Sequence, residues 1–579
     1  MKKRWIAGLI TLGLMAGTAC AAPAPQTEEI CGYPTADALA AQTGAVTRGT
    51  FLEALAQASG EDLSQYADLR LEEFFTDGEN APDGVKWAFA KWVLNGSGTE
   101  GERGRLDLSD PLTREQAAAL LGRYLDYRYT ELPAGCGTGM PDLAPVAAWA
   151  QEGVTNCWMY DVIETNDQPD FRPKDTVSGA DAAEWIKNAN NVTASAYYAP
   201  DEAQNFADVL TRALDAAGNW SVSPYSVRMC LAMLANGAEG ATRDELLAAL
   251  HIDDLAAYNE SVKQQLATYD GYARIMSLET ANSLWLNQSR FGGKGAFLPN
   301  FTKTMQDSFR AAAEQVTDAD SVERVNAWVD DKTHGKIPSI LTEDNREFAT
   351  ALVNAVYFKA AWENEFLASL TDKADFTNAD GTTSAVDMMH QTDYFDYYAT
   401  PGIEAIKLDY RDYAVDNEDG EGWERFDDAD FSMYLIKGGA DIDVQDFLDQ
   451  AEFTGGEVRV SVPKFKVEYG EALDKALQAL GVKAAYDPEQ ADLSAMVDPA
   501  TLPGGQHYLD TVLHRTYLAV DEKGTEAAAV TAAMDNAGAA MPTRPALVRE
   551  FTADEPFTFV IRDNAAGEIL FVGRYENAK

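Results

Sequence analysis

Five cysteines and five histidines are the side chains with the widest chemical reach in this 579-residue chain. Cys20 has the most telling surroundings. It follows Lys2, Lys3, Arg4 and the apolar run "WIAGLITLGLMAGTA", which is too short and too rich in small residues to span a membrane and suits a secretion signal. Two cuts compete. One falls before Cys20, whose thiol would then carry lipid; the other falls after Ala21, where Ala19 and Ala21 meet the small-residue rule. The Ala/Pro-rich tether after Cys20 suits an anchored protein, whereas Gly17 stands where lipid-attachment signals carry a larger aliphatic residue. Residues 1–21 are expected to direct export, with the membrane reached only through lipid on Cys20.

The remaining cysteines, Cys31, Cys136, Cys157 and Cys230, show no C-x-x-C spacing, so no zinc or redox site is expected. In an oxidising compartment Cys136 and Cys157 are the expected pair, and Cys230, inside an apolar helical pattern, is expected to be a buried free thiol. The histidines form no H-E-x-x-H, and the chain lacks G-x-S-x-G and the Walker phosphate loop. A carbohydrate-active enzyme finds no fitting carboxylate motif either. No metal, cofactor or catalytic set is expected. The formal net charge of −47 repels phosphate backbones and anionic headgroups, which excludes nucleic acid as a partner and suits a soluble extracellular surface. A basic or sugar-bearing partner is the alternative use of that charge.

So long a chain exceeds one hydrophobic core, and two organisations succeed one another along it. Over residues 30–195, "AVTRGTFLEAL", "PLTREQAAALL" and "TVSGADAAEWI" recur roughly 65 residues apart, each opening a helix. Thr113 or Ser178 can cap the first turn, with Gln116 or Asp181 three residues on. This arrangement resembles S-layer homology repeats, which attach to cell-wall polysaccharide. The resemblance implies glycan contacts from Arg48 and Arg114, which follow the capping threonines; surface solvation is the bland alternative for both. The third copy departs, with Gly179 in place of the arginine.

From about residue 200 to 579 helical and strand patterns alternate. Ser223 and Pro224 start a helix with Val227, Leu231 and Leu234 on one face, and Gly237 and Gly240 terminate it. Ala351 to Phe358 is apolar on both faces apart from Asn354, as in a strand buried mid-sheet, and Val458 to Val462 alternates as a half-buried strand. The acidic stretch "RDYAVDNEDGEGWERFDDAD" before Phe431 is expected to be a solvated loop. This region is similar to a serpin. The likeness is carried by Ser223 to Ser226, by "LVNAVYFKAAW" through Asn354 and Trp362, by "HRTYLAVDEKGTEAAAVTAA" from His514, and by "FTADEPFTFVI" and "ILFVGRY". Glu555 departs from the family pattern before Pro556. The expectation is a multidomain chain: amino-terminal all-α repeats, then an α+β serpin fold with a large central sheet, smaller sheets, about nine helices and an exposed reactive loop.

By itself "TEAAAVTAAM" reads equally well as an exposed alanine helix. The resemblance makes it a reactive loop that enters a sheet as a new strand after a protease cuts it. Thr525, Ala527, Ala529, Thr531 and Ala533 would then face inward and are small enough to fit, Glu526, Ala528 and Val530 would face out, and Gly524 is the hinge after Glu522. The resemblance also places Ser223, Ser226, Asn354 and His514 together beneath the sheet as a hydrogen-bonded latch. The family's usual spacing of about seventeen residues from Glu522 points to the bond Gly538–Ala539, with Met541 and Arg544, both before proline, as alternative baits. The implied partner is a serine protease of elastase-like or subtilisin-like preference, or a cysteine protease, met outside the cell by a monomeric, envelope-associated inhibitor. The alternative is a non-inhibitory serpin acting as a surface binding protein.

Overall fold

The computed structural model describes residues 35–97, 103–131, 142–163, 171–192, 205–214, 216–415, 423–439, 442–502, 507–525 and 544–578. Six helices make an amino-terminal layer: α1 (Ala36–Ala40), α2 (Arg48–Ser59), α3 (Asp83–Ala90), α4 (Arg114–Arg128), α5 (Ala148–Met159) and α6 (Gly179–Asn190). Thr47, Thr113 and Ser178 cap α2, α4 and α6, each side chain accepting a backbone N–H three residues on, and Thr113 and Gln116 close a reciprocal capping box. First-turn donors, which a helix leaves unpaired, are taken up by the following segment: Arg48 and Gly49 donate to the carbonyls of Asp110 and Leu108, and Arg114 and Glu115 to those of Asp175 and Pro173. At α6 the neighbour is α1 instead. A Cβ on Gly179 would lie 2.2 Å from the Leu39 carbonyl oxygen, so the glycine that interrupts the Thr-Arg pattern meets a packing requirement.

Cys157 corrects the expected pairing with Cys136. It is a buried free thiol whose Sγ donates to the Ala118 carbonyl at 3.4 Å, and burial pushes its pKa up. The close packing of α4 on α5, where a Cβ on Gly122 would meet Gly153 Cα at 2.6 Å, points the thiol inward; Cys136 lies outside the described residues. Cys230 is a buried free thiol, as expected.

The rest of the chain carries eight α-helices among the described residues, against about nine expected from the fold: α7 (Phe206–Ala213), α8 (Pro224–Gly237), α9 (Gly240–Leu250), α10 (Leu255–Gly271), α11 (Pro299–Phe309), α12 (Ser321–Lys332), α13 (Val444–Gln450) and α14 (Asp474–Ala479). The strands are β1 (Trp220–Val222), β2 (Met276–Asn287), β3 (Ala312–Val316), β4 (Thr350–Ala361), β5 (Asp372–Thr377), β6 (Thr383–Thr400), β7 (Ile403–Asp409), β8 (Tyr413–Val415), β9 (Trp423–Arg425), β10 (Phe431–Gly438), β11 (Thr454–Pro463), β12 (Phe465–Ala472), β13 (Thr511–Asp521), β14 (Gly524–Thr525), β15 (Val548–Thr552), β16 (Phe557–Asp563) and β17 (Glu568–Tyr575).

A six-stranded sheet runs β12-β13-β14-β4-β2-β3, and a nine-stranded sheet runs β1-β17-β16-β10-β7-β6-β11-β15 with β5 on β6. The acidic stretch expected to be a loop contains the antiparallel hairpin β8–β9, where Arg274 pairs with Glu424 and Arg425 with Asp412; residues 416–422 lie outside the description. Ser223 caps α8 with Pro224 in its first turn, and the helix buries Val227, Leu231 and Leu234 beneath β2 and β4. β4 is buried from Thr350 to Phe358, as its two-sided apolar pattern predicts. No helix among the described residues is long and apolar enough to cross a membrane.

Gly179→Ala is expected to lower the stability of the helical layer by about 1–3 kcal/mol, because a backbone carbonyl occupies the methyl's space. Thermal unfolding of the variant beside the parent chain measures this; an unchanged melting temperature would contradict the packing described.

Candidate functional site

The seam between β4 and β13 is the part of the molecule that is least like an ordinary sheet. Over its lower half the two strands pair directly and in parallel, from Thr511 opposite Ala351 to Tyr517 opposite Tyr357. Higher up they separate, and β14 stands between them: Thr525 pairs with Val520 on one side and Ala360 on the other, and Gly524 with Asp521 and Ala361. Two residues of the segment after Glu522 therefore already form a strand inside the sheet.

The wedge is held from several directions. Thr525 is fully buried and its hydroxyl lies 2.7 Å from that of Tyr410. The Tyr410 ring stacks on Trp362 with centroids 4.7 Å apart and planes 9° from parallel. Trp362 donates its indole N–H to the Asp521 carbonyl at 3.0 Å and its backbone N–H to that of Lys523 at 2.9 Å. Gly524 has φ +147°, and a Cβ there would sit 2.2 Å from the Ala360 carbonyl oxygen, so both conformation and space call for glycine. Burial would raise the Glu522 pKa. Lys464 at 2.8 Å and the Thr371 hydroxyl at 3.0 Å outweigh it and hold the carboxylate below its ordinary range.

Beneath the paired half lies a buried polar ladder. Asn282, Asn354 and His514 are opposite one another on β2, β4 and β13. Asn354 donates its amide N–H groups to Ser226 Oγ at 2.5 Å and to Asn282 Oδ1, and its Oδ1 is bonded to His514 Nδ1. His514 Nε2 accepts the backbone N–H of Ser223 at 3.3 Å, so the Nδ1–H tautomer of the neutral ring satisfies both neighbours. Ser223 in turn caps α8 by accepting the N–H of Ser226. Burial drives the His514 pKa down to about 3, and that of His507, on the Thr350 hydroxyl at 2.6 Å, down to about 4.

These polar groups are buried and bonded to one another, and the one hydroxyl–imidazole contact among them, Thr350 to His507, is closed off from solvent. What the arrangement offers mechanically is a slot: strands parted at the top, a short strand started between them, and below it hydrogen bonds that a further strand would have to replace. A family model described as "Serpin (serine protease inhibitor)" matches residues 201–578. The chain belongs to the serpin family. The Homo sapiens leukocyte elastase inhibitor is 29% identical over 377 residues, covering 62% of this chain and 93% of that protein. Intracellular coagulation inhibitor 1 of Tachypleus tridentatus is 31% identical over 382 residues, covering 62% and 84%. These relatives are named as inhibitors, not enzymes. Among solved structures, the thermophilic serpin tengpin in its native state aligns over 65% of this chain and 92% of its own, with TM-score 0.54 and 27% identity.

In this serpin Ser223, Ser226, Asn354 and His514 meet in one network, and Glu522, Gly524, Thr525 and Trp362 meet at the wedge above it. Glu526, Ala527, Ala528, Ala529, Gly538, Ala539 and Met541 lie outside the described residues, as does Cys20. Arg544 is described and is engaged by α3 and the turn after it. Arg48 and Arg114 are largely buried, 15% and 12% exposed, and bonded within the helical layer. Arg48 donates to the Leu106 carbonyl at 2.8 Å, while Arg114 pairs with Asp181 at 2.7 Å and lies over the Trp185 ring. Sequence reasoning missed Tyr410, Lys464 and Asn282. Asn282, a polar residue in a buried run, carried the same signal as Asn354; Tyr410 and Lys464 come from segments distant in sequence and carried none.

The two histidines give the pH dependence its sign. An unfolded chain binds their protons near pH 6.5, whereas the folded chain resists protonation down to about pH 3 at His514 and about pH 4 at His507. The contribution of these two histidines to stability is therefore constant above about pH 6.5 and falls below it, by up to about 1.4 kcal/mol per pH unit for each. Urea midpoints at pH 7, 6 and 5 should drop less steeply for His514→Gln than for the parent chain; equal slopes would refute the assignment.

Proposed function

We propose that this serpin is a suicide-type inhibitor of serine proteases, cut in the loop after Thr525 and trapping its attacker as the loop inserts. The observation that carries the reading is Gly524–Thr525 standing in register between β13 and β4. Extending that register lays each further residue against one rung of the existing pair, down to Thr511 and Ala351. Counting from Thr525, which pairs with Val520 and Ala360, Thr531 arrives between His514 and Asn354, a hydroxyl replacing the bond it breaks. Inward positions continue as Ala527, Ala529, Thr531 and Ala533, all small. About nine new ladder residues, 526–534, at about 0.5–1.5 kcal/mol each would release on the order of 10 kcal/mol. The protease supplies the nucleophile and forms the acyl link; insertion carries it away before deacylation completes.

Gly538–Ala539 is the proposed reactive bond, which suits elastase-like or subtilisin-like proteases. Arg544 is a poor bait, since its guanidinium is already bonded and Pro545 follows it. A leader cut before Cys20 or after Ala21 would put the inhibitor outside the cell, and the helical layer, as S-layer homology-like repeats, would hold a monomer at the envelope. Arg48 and Arg114 would contact wall polymer by exchanging some of their bonds within that layer.

Cutting the loop with elastase or subtilisin should raise the urea midpoint and melting temperature of the chain, and Thr525→Glu, which puts a charge against Tyr410, should abolish that gain. No gain in the parent chain would refute insertion. Sedimentation with purified wall polysaccharide should carry down the full chain; a chain left wholly in the supernatant would overturn attachment by the helical layer.

A further inference from the structure

The carboxyl-terminal limb of the loop is gripped by the helical layer. Arg544 reaches the end of α3, where the dipole favours a cation. Its guanidinium donates to the Phe89 carbonyl from Nε at 3.1 Å and from Nη2 at 2.6 Å, to the Leu94 carbonyl at 2.9 Å, and to Asn95 Oδ1 at 2.8 Å. It lies over the rings of Phe89 and Trp92, 4.4 and 4.5 Å from their centroids. Trp92 returns an indole N–H to the Pro545 carbonyl at 3.2 Å.

The grip continues into β15, which lies at the edge of the nine-stranded sheet and pairs with β11 alone. Lys91, nearly fully buried, donates to the Val548 carbonyl at 3.0 Å and pairs with Glu61 at 3.1 Å and Glu550 at 3.5 Å. Arg549 donates to the carbonyls of Tyr127 and Asp126 in α4, and Thr130 exchanges backbone and hydroxyl bonds with Ala399 of β6.

The loop thus has one end in each sheet, and the second end is clamped. In register, insertion as far as Met534, the residue that arrives between Thr511 and Ala351, descends about 30 Å along the seam. β11 runs into β12 at the top of the seam, where Phe465 pairs with Val520, and β15 starts opposite Glu457 farther back along β11, so with Arg544 in place residues 535–543 must return over at least that distance, and they reach about 30 Å at full extension. An uncut loop then has no slack. Releasing Arg544 frees the chain up to β15, about 13 Å more. A cut loop needs none of this, because the proposed bond lies before Arg544.

We propose that the helical layer is a conformational clamp: by holding Arg544 and β15 it keeps the uncut loop out of the six-stranded sheet while leaving the cut loop free to enter. This rests on the insertion reading above. The test incubates the uncut full-length chain, Arg544→Ala, Arg544→Lys and Asn95→Ala at a temperature below unfolding. Samples are followed by urea-gradient gels, intact mass and elastase nicking of the loop.

Arg544→Ala should convert about tenfold faster or more than the parent to an uncut form that resists urea and nicking, since a bond to a charged group is worth about that factor. Arg544→Lys and Asn95→Ala, which each remove part of the grip, should fall between. Conversion of the three variants at the parent rate overturns the clamp, as does unfolding of the variants without any gain in resistance to urea or nicking. The two readings fail separately: if elastase-cut parent chain gains no urea resistance, insertion falls; if it does gain and the variants convert like the parent, only the clamp falls.

Discussion

The β4–β13 pairing is the constraint to which the rest of the inhibitor region is arranged. It holds two parallel strands together in a buried sheet and, on the insertion proposed above, must also be replaceable, rung by rung, by a third strand of opposite direction. Hydrogen bonds satisfy both demands, since an incoming backbone offers the same donors and acceptors that the strands offer each other. The polar ladder below serves the same end. Asn354 and His514 cost solvation in an apolar core but keep partners on both sides of the seam. Apolar side chains there would have interlocked by shape and left nothing to exchange. Tyr410 and Trp362 do the complementary job at the top, fixing the point where parting begins.

How much of this was legible depends on how local each determinant is. The cap at Ser223, the buried run of β4 with its lone Asn354, and the small-residue alternation after Gly524 are patterns within a few residues, and all were readable. So was the parity that puts Thr525 on one face with Ala527, Ala529, Thr531 and Ala533, because alternation along a strand is fixed by geometry. The partners of Glu522 and Thr525 were not: Lys464 and Tyr410 come from strands far away in sequence and look like ordinary residues of their own segments. Cys157 shows the limit of reasoning from compartment and spacing, since packing of α4 on α5 decides where its thiol points. The hairpin inside the acidic stretch was hidden for the opposite reason: its two strands are short, and their charges read as solvation.

The helical layer uses arginine in one recurring way. Arg114 bonds the Phe171 carbonyl while lying over Phe171 and Trp185; Arg544 bonds the Phe89 carbonyl while lying over Phe89 and Trp92. The first stitches the layer to itself and the second stitches it to the inhibitor region. A planar, always-charged group with five donors can satisfy backbone carbonyls and cover an aromatic face together, which a lysine cannot.

Beyond the loop the chain still supplies β15, β16 and β17, and the latter two lie within the nine-stranded sheet, flanked by β10 and β1. A molecule severed anywhere between Thr525 and Arg544 is consequently two polypeptides with a single interior. The smaller piece contributes central strands rather than a peripheral tail, so the halves would co-migrate through any native separation and part company only when the whole body is denatured.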